Sequence, residues 1–145
     1  MALTNLTVVV PVDLSHDSDF AVKSGYSVAG DPARLHIIHV MSPLDSISAA
    51  MLHTESPGPA GQKSAAEHLH ELAQKHDASE AHCVVLAGDC GTAIAEYAKK
   101  CGADLIVIPS HGYHGLKRLV LGSVTEKVIR HAECSVLVLR RSDAE

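Results

Sequence analysis

Short runs of apolar, β-branched residues recur along the chain, and stretches with helical periodicity separate them. The runs are nearly continuous rather than alternating, which is typical of strands that are buried on both faces of a parallel sheet. The predicted strands are Leu6–Val12, Leu35–Met41, Ala81–Leu86, Ala103–Ile108 and Cys134–Leu139. The predicted helices are Asp17–Ala29, Gly61–His76, Thr92–Lys100 and Ser123–His131.

Strands that alternate with helices predict an α/β fold in which a parallel sheet is covered on both faces. The chain has 145 residues, which matches one domain of roughly 150 residues. We therefore expect a single three-layer domain over residues 1–145, with a five-stranded, mostly parallel sheet. One irregular stretch, Ser42–Gln62, is long for a compact domain and is expected to be mobile, as a lid or binding loop, with a helical turn near Ile47–Leu52.

In an open α/β sheet, ligands bind outside the carboxyl ends of the strands, where the strand order reverses. By this rule, a ligand is expected near Pro11–Asp13 at the end of the first strand and near Pro109–Gly112 after the fourth strand. The second segment leads through a glycine-bearing loop to a helix start at Gly122-Ser123, where free N–H groups favour an anion. The spacing fits neither the Walker phosphate loop nor the dinucleotide-binding G-x-G-x-x-G pattern.

Composition narrows the function classes. With 12 Lys plus Arg against 17 Asp plus Glu, the net charge of −5 argues against a nucleic-acid surface. One Phe, three Tyr and no Trp leave few rings on which single-stranded bases could stack. No apolar run is long enough for membrane insertion, and no secretory signal is visible, so a cytoplasmic location is the default expectation. The spacing of the four cysteines predicts reduced, buried thiols.

Three segments together resemble the universal stress protein family over nearly the whole chain. They are Val10-Pro11-Val12-Asp13 with Ser15, the stretch from Ala103 through Ser110-His111-Gly112 to Gly122-Ser123-Val124, and the final strand His131–Leu139. The resemblance implies the strand order 3-2-1-4-5. The nucleotide-binding branch of that family carries the pattern G-x2-G-x9-G-[ST]. Gly112, Gly122 and Ser123 match it, whereas Pro109 replaces its first glycine and removes an N–H.

The resemblance implies a site for ATP or AMP. Asp13 would accept hydrogen bonds from the ribose or contact the adenine, and the other residues would line the base pocket or hold the phosphates. The pocket residues are Pro11, Val12, Val40 and Ile108; the phosphate residues are Pro109, His111, Gly112, Gly122, Ser123, Val124 and Thr125. Mg²⁺ or Mn²⁺ could bind through the phosphates, whereas no dedicated metal site and no catalytic residue is predicted.

Simpler roles remain open for the same residues. Asp13 could cap the helix that follows it, and Ser123 with Glu126 forms the sequence of a capping box. His111, Gly112 and Gly115 could be ordinary loop residues. Lys117 and Arg118 could belong to a solvated face. Residues 111–131 nevertheless hold a local excess of basic side chains over acidic ones, so the acidic net charge does not exclude a small polyphosphate. The basic residues are Lys117, Arg118, Lys127 and Arg130, against Glu126 alone.

Three functions fit these patterns. The favoured one is a nucleotide-dependent switch in stress response or signalling; the alternatives are a slow ATPase and a dimeric scaffold that has lost its ligand. An ATPase would need a positioned base, for which His111, His114 and Asp13 are the candidates. The last strand, Ser135–Arg140, is apolar and would need covering if it lies at the sheet edge. The resemblance implies that it pairs with the same strand of a second subunit.

Overall fold

A computed structural model describes residues 5–15, 17–41, 59–110 and 121–140, with the side chains of residues 59–62 excepted. The strands are β1 (Val8–Pro11), β2 (Leu35–Met41), β3 (His82–Ala87), β4 (Leu105–Pro109) and β5 (Ser135–Leu139). The helices are α1 (Asp17–Ala29), α2 (Pro59–Lys75), α3 (Cys90–Lys100) and α4 (Ser123–His131), with a 3₁₀ turn at Pro32–Arg34 before β2.

The five strands form one sheet in the order β3-β2-β1-β4-β5, and all four neighbouring pairs are parallel. This confirms the fold class and the strand order. Both α1 and α4 have the predicted bounds, and the other helices and four of the five strands differ from prediction by one or two residues at an end. The sequence missed the 3₁₀ turn, which Asp31 caps by accepting a hydrogen bond from the Ala33 amide.

Alternate residues of the strands supply two aliphatic cores, one on each face of the sheet. Val8 and Val10 of β1 pack with residues of α1 and α2, whereas Val9 packs with residues of α3 and α4. All four residues of β1 are buried, as expected for a central parallel strand. Helix α1 lies very close to β1 at Gly25, where an added Cβ would sit 2.3 Å from a Val10 methyl group.

Two predictions cannot be judged from this structure. The predicted loop Ser42–Gln62 lies outside the described residues over 42–58, and its last four residues belong to α2. The helical turn expected near Ile47–Leu52 also lies outside the described residues.

Candidate functional site

The candidate site lies where β1 and β4 separate. These two strands pair at only two positions, the second of which joins Val9 to Ile106. Beyond it, β1 stays with β2, because the Val12 amide donates to the Ile38 carbonyl over 2.8 Å. Strand β4 stays with β5 to its end. Because the strand order reverses between β1 and β4, their carboxyl ends open a crevice of the kind in which α/β proteins bind ligands.

The backbone of Pro109 faces this crevice. The next amide, that of Ser110, donates to the Leu139 carbonyl of β5 over 2.9 Å, so the groups of Pro109 point to the opposite side. A proline is tolerated there because β1 has already left β4 and no ladder bond is lost. Thr125 is buried, and its hydroxyl donates to the Pro109 carbonyl over 2.8 Å. The threonine thus satisfies the carbonyl and ties the start of α4 to the end of β4.

Asp13 holds the turn between β1 and α1. Its Oδ1 accepts hydrogen bonds from the Ser15 amide at 2.9 Å and from the Ser18 hydroxyl at 3.4 Å. Its Oδ2 makes no hydrogen bond to any described residue. Between these groups, Leu14 has a φ of +66°, in the left-handed region that a branched side chain rarely adopts. Asp13 therefore holds the turn but does not cap α1, because the Asp17 amide at the start of that helix donates to the Ser15 hydroxyl over 3.3 Å. Among the described residues, one carboxylate oxygen of Asp13 stays available to a ligand.

Helix α4 begins without a side-chain cap. Its N-cap residue is Gly122, so Ser123 is already the first helical residue. The capping-box interpretation is therefore wrong: Glu126 instead accepts a hydrogen bond from Arg130 over 2.7 Å. The first amides of an α-helix have no partner within the helix, and at the start of α4 no side chain of the described residues caps them. The N–H groups of residues 123–125 and the Ser123 hydroxyl are therefore available to an anion.

An ion pair joins the starts of α3 and α4. Lys127 lies 2.8 Å from Asp89, the N-cap residue of α3. The hydrogen bond from Lys127, with further ones from Thr92, lowers the pKa of the Asp89 carboxyl to about 2. Gly91 makes the approach possible, since an added Cβ would lie 2.7 Å from the Lys127 Cβ. The two helices are thereby held side by side next to the crevice.

The expected local excess of positive charge is only partly available to a ligand. Lys127 is paired with Asp89 and Arg130 with Glu126. Lys117 and Arg118 lie outside the described residues. Among the described residues of this region, the attraction for an anion therefore comes from helix amides rather than from unpaired cations.

These groups surround one cavity of about 270 Å³. Ten of the twelve site residues expected from the sequence line it: Pro11, Val12, Asp13, Val40, Ile108, Pro109, Gly122, Ser123, Val124 and Thr125. His111 and Gly112 lie outside the described residues. These ten residues come from the ends of β1, β2 and β4 and from the start of α4.

The structure adds six lining residues that the sequence analysis missed: Asp17, Ser18, Ala21, His39, Cys90 and Ile94. The first three belong to the first turns of α1, which a helix directly after β1 must bring to the same edge. Cys90 begins α3 shortly after the end of β3. The rule that ligands bind beyond the carboxyl ends of the strands could therefore have identified it. Nothing in the sequence marks His39 as a lining residue, because its position depends on a contact with Val12.

Comparisons with known proteins identify the family of this chain. The sequence profile described as the universal stress protein family matches residues 4–140. The chain belongs to the universal stress protein family.

Two curated relatives are similar over nearly the whole chain. Universal stress protein A homolog 2 of Coxiella burnetii is 31% identical over 93% of this chain and 93% of its own length. A universal stress protein of Methanocaldococcus jannaschii is 34% identical over 95% of this chain and 84% of its own length.

Solved structures share the universal stress protein fold. UspA from Lactobacillus plantarum superposes with a TM-score of 0.67 at 26% identity, over 93% of this chain and 98% of that one. A universal stress protein in complex with cAMP has a TM-score of 0.62 at 27% identity, over 94% of this chain and 98% of that one.

The cysteines of this universal stress protein differ from the prediction in their burial. None of the four cysteines forms a disulfide in the described residues, and all are half-buried rather than fully buried as expected. Burial raises the pKa of the Cys83, Cys101 and Cys134 thiols. Over the described ranges, no three His, Cys, Asp or Glu side chains are grouped as metal ligands, and no helix is long and apolar enough to cross a bilayer.

Proposed function

We propose that this universal stress protein binds an adenine nucleotide, ATP or AMP, in the crevice between β1 and β4, and acts as a ligand-dependent switch in stress response or signalling. The observation that carries the proposal is the convergence of ten expected site residues on one cavity with an uncapped helix start at its rim. A related structure in complex with cAMP, itself an adenine nucleotide, supports the same ligand class.

Each part of the cavity suits one part of a nucleotide. The aliphatic side chains of Val12, Val40 and Ile108 form a slot for a purine, since no Phe, Tyr or Trp ring is among the described residues that line the cavity. The Asp13 Oδ2, which no described residue binds, is a suitable acceptor for ribose hydroxyl groups. The amides at the start of α4 are donors for phosphate oxygens, with Ser123 adding a hydroxyl. At about 270 Å³ the cavity suits a nucleoside whose phosphates lie at the rim.

Other elements of the site remain part of the proposal. His111 and Gly112 are expected beside the phosphates, and Mg²⁺ or Mn²⁺ is expected to bind through phosphate oxygens rather than through a protein cage. A cytoplasmic location fits this ligand class. Hydrolysis is not part of the proposed function, because Asp13, the described candidate base, is assigned in it to the ribose rather than to the phosphates.

Calorimetric titration with ATP and with AMP tests the proposal. Wild-type protein should bind, and Asp13→Asn should bind about tenfold more weakly or worse, because a hydrogen bond to a charged group is lost. Asn retains an oxygen for the Ser15 amide, so the turn should persist and unfolding should change little. Absence of binding by the wild type at millimolar nucleotide would reject the proposal and favour a scaffold without ligand.

We also propose that the protein is a homodimer paired through Ser135–Arg140. Strand β5 lies at the edge of the sheet, and Leu137 is 40% exposed there. On the neighbouring helix α4, Ile129 is 43% exposed. An exposed apolar edge strand is normally covered or paired. Sedimentation should show a dimer that Leu137→Asp weakens, whereas a wild-type monomer at micromolar concentration would contradict the pairing.

A further inference from the structure

His39 connects the end of β1 to β2. Its Nδ1 lies 2.8 Å from the Val12 carbonyl oxygen, and because a carbonyl only accepts, Nδ1 must carry the proton. The Val12 amide meanwhile donates to the Ile38 carbonyl over 2.8 Å. Both main-chain groups of Val12 are therefore bound by β2, at the position where β1 has already separated from β4.

This attachment bears directly on the cavity. Val12 precedes Asp13 and the turn in which Leu14 has a positive φ, a conformation that persists only when surrounding contacts hold it. Without His39, the Val12 carbonyl would lose its partner beside the opening between β1 and β4. The chain would then be free to relax toward β4 and narrow the crevice.

We infer that His39 is a positioning residue of the nucleotide site: through Nδ1–H it holds Val12 against β2 and so fixes Asp13 and keeps the crevice open. The inference deepens the proposed function and rests on it for the ligand. It assigns the role to one ring nitrogen. When Nδ1 carries the proton of a neutral ring, Nε2 is an acceptor, and Nε2 has no part in the proposed role.

Amide substitutions separate the two nitrogens. Asn places an N–H near the position of the histidine Nδ1, whereas Gln places one near Nε2. By titration with AMP, His39→Asn should bind within about twofold of wild type, whereas His39→Gln and His39→Leu should bind about tenfold more weakly, the effect of about one lost hydrogen bond.

His82 supplies a matched control. Its Nε2 also donates to a carbonyl, that of Ala33 over 3.1 Å, but at the amino end of β3 and away from the cavity. His82→Leu should therefore lower the stability to unfolding and leave the AMP affinity unchanged. A loss of affinity in this variant would indicate a general structural effect and overturn the specific role of His39.

A second measurement needs no nucleotide. Nitrogen-15 NMR of the unliganded wild type should show His39 with its proton on Nδ1, and His39→Leu should speed amide exchange in residues 12–15. The inference would be overturned by a proton on Nε2 in the wild type or by unchanged amide exchange in His39→Leu. It would also be overturned if all three variants kept the wild-type AMP affinity, if all three lost affinity equally, or if His39→Gln alone kept it. If wild type binds no nucleotide, the proposed function fails, while the tautomer and the exchange rates still judge the role of His39.

Discussion

At the amino ends of the strands, His36, His82 and Tyr97 form a cluster that pairs with itself and with the Ala33 carbonyl, whereas at the carboxyl ends His39 and Thr125 bind main-chain carbonyls beside the opening between β1 and β4. In the first region, His36 stacks on His82 with ring centroids 4.3 Å apart, and its Nδ1 lies 2.8 Å from the Tyr97 hydroxyl. In the second, His39 binds the Val12 carbonyl and Thr125 binds the Pro109 carbonyl.

The two ends of the strands differ in which polar groups stay available to a ligand. The amino-end cluster is satisfied by its own members and by the Ala33 carbonyl. At the carboxyl ends, the side chains hold the backbone apart, and no side chain of the described residues binds the Asp13 Oδ2 or caps the start of α4. Residues of the same type on the same strand β2 thus serve the fold at one end and the site at the other.

The largest expected effect is at Thr125. Thr125→Val keeps the shape of the side chain but leaves the half-buried Pro109 carbonyl without the threonine hydroxyl, which should lower the free energy of unfolding by about 1–3 kcal/mol. Nucleotide affinity should fall as well, because the start of α4 loses its anchor. Thr125→Ser, which keeps the hydroxyl, is the control and should cost only about 1 kcal/mol. Urea unfolding and calorimetric titration give the two values.

The corresponding change at the other end is Tyr97→Phe. It removes the hydroxyl that contacts His36 and should lower the free energy of unfolding by about 1 kcal/mol. The AMP affinity should stay at the wild-type value, because Tyr97 does not line the cavity. A weaker affinity in this variant would break the distinction between the two ends.

A pH dependence should come from the amino-end cluster. Burial, and secondly the neighbouring His82, lower the pKa of His36 from its ordinary value of 6.5. The unfolded chain therefore takes up a proton that the folded chain resists, so this stability is fully present above pH 6.5 and is lost as the pH falls through the folded pKa. Since His36 is half-exposed, solvent limits the effect. His36→Leu should flatten the decline in urea unfolding between about pH 7 and pH 5.

The smallest effect concerns the surface pair on α4. Glu126→Gln removes a charge from the exposed ion pair with Arg130 and should cost about 0.3–0.5 kcal/mol in unfolding. A capping box would make the substitution more costly, but Gly122 occupies the N-cap position. Urea unfolding measures the cost, and unchanged AMP affinity would show that Glu126 does not take part in the site.

The sequence predicted the fold well because each element is decided locally. Strand β1 is a continuous valine run, and α1 follows it with apolar residues at helical spacing. The helical bounds were less certain where the first turn carries no apolar signal, as at Cys90 in α3.

The site was predictable only in part, for a physical reason. Strand ends and the motif glycines are visible in the sequence, so ten of the lining residues can be predicted from it. The roles of the two histidines of β2 depend on long-range contacts: His36 contacts Tyr97, and His39 contacts Val12. The role of Ser123 was ambiguous because a capping box and a phosphate site begin with the same residues, and the backbone at Gly122 decides between them.

The most direct test of the central claim is an NMR titration of the wild-type protein with AMP, followed through backbone amide signals. The account predicts shifts at the carboxyl ends of β1 and β2 and at residues 122–125, with no shifts around His36, His82 and Tyr97. No shifts at millimolar AMP, or shifts confined to the amino ends of the strands, would contradict it.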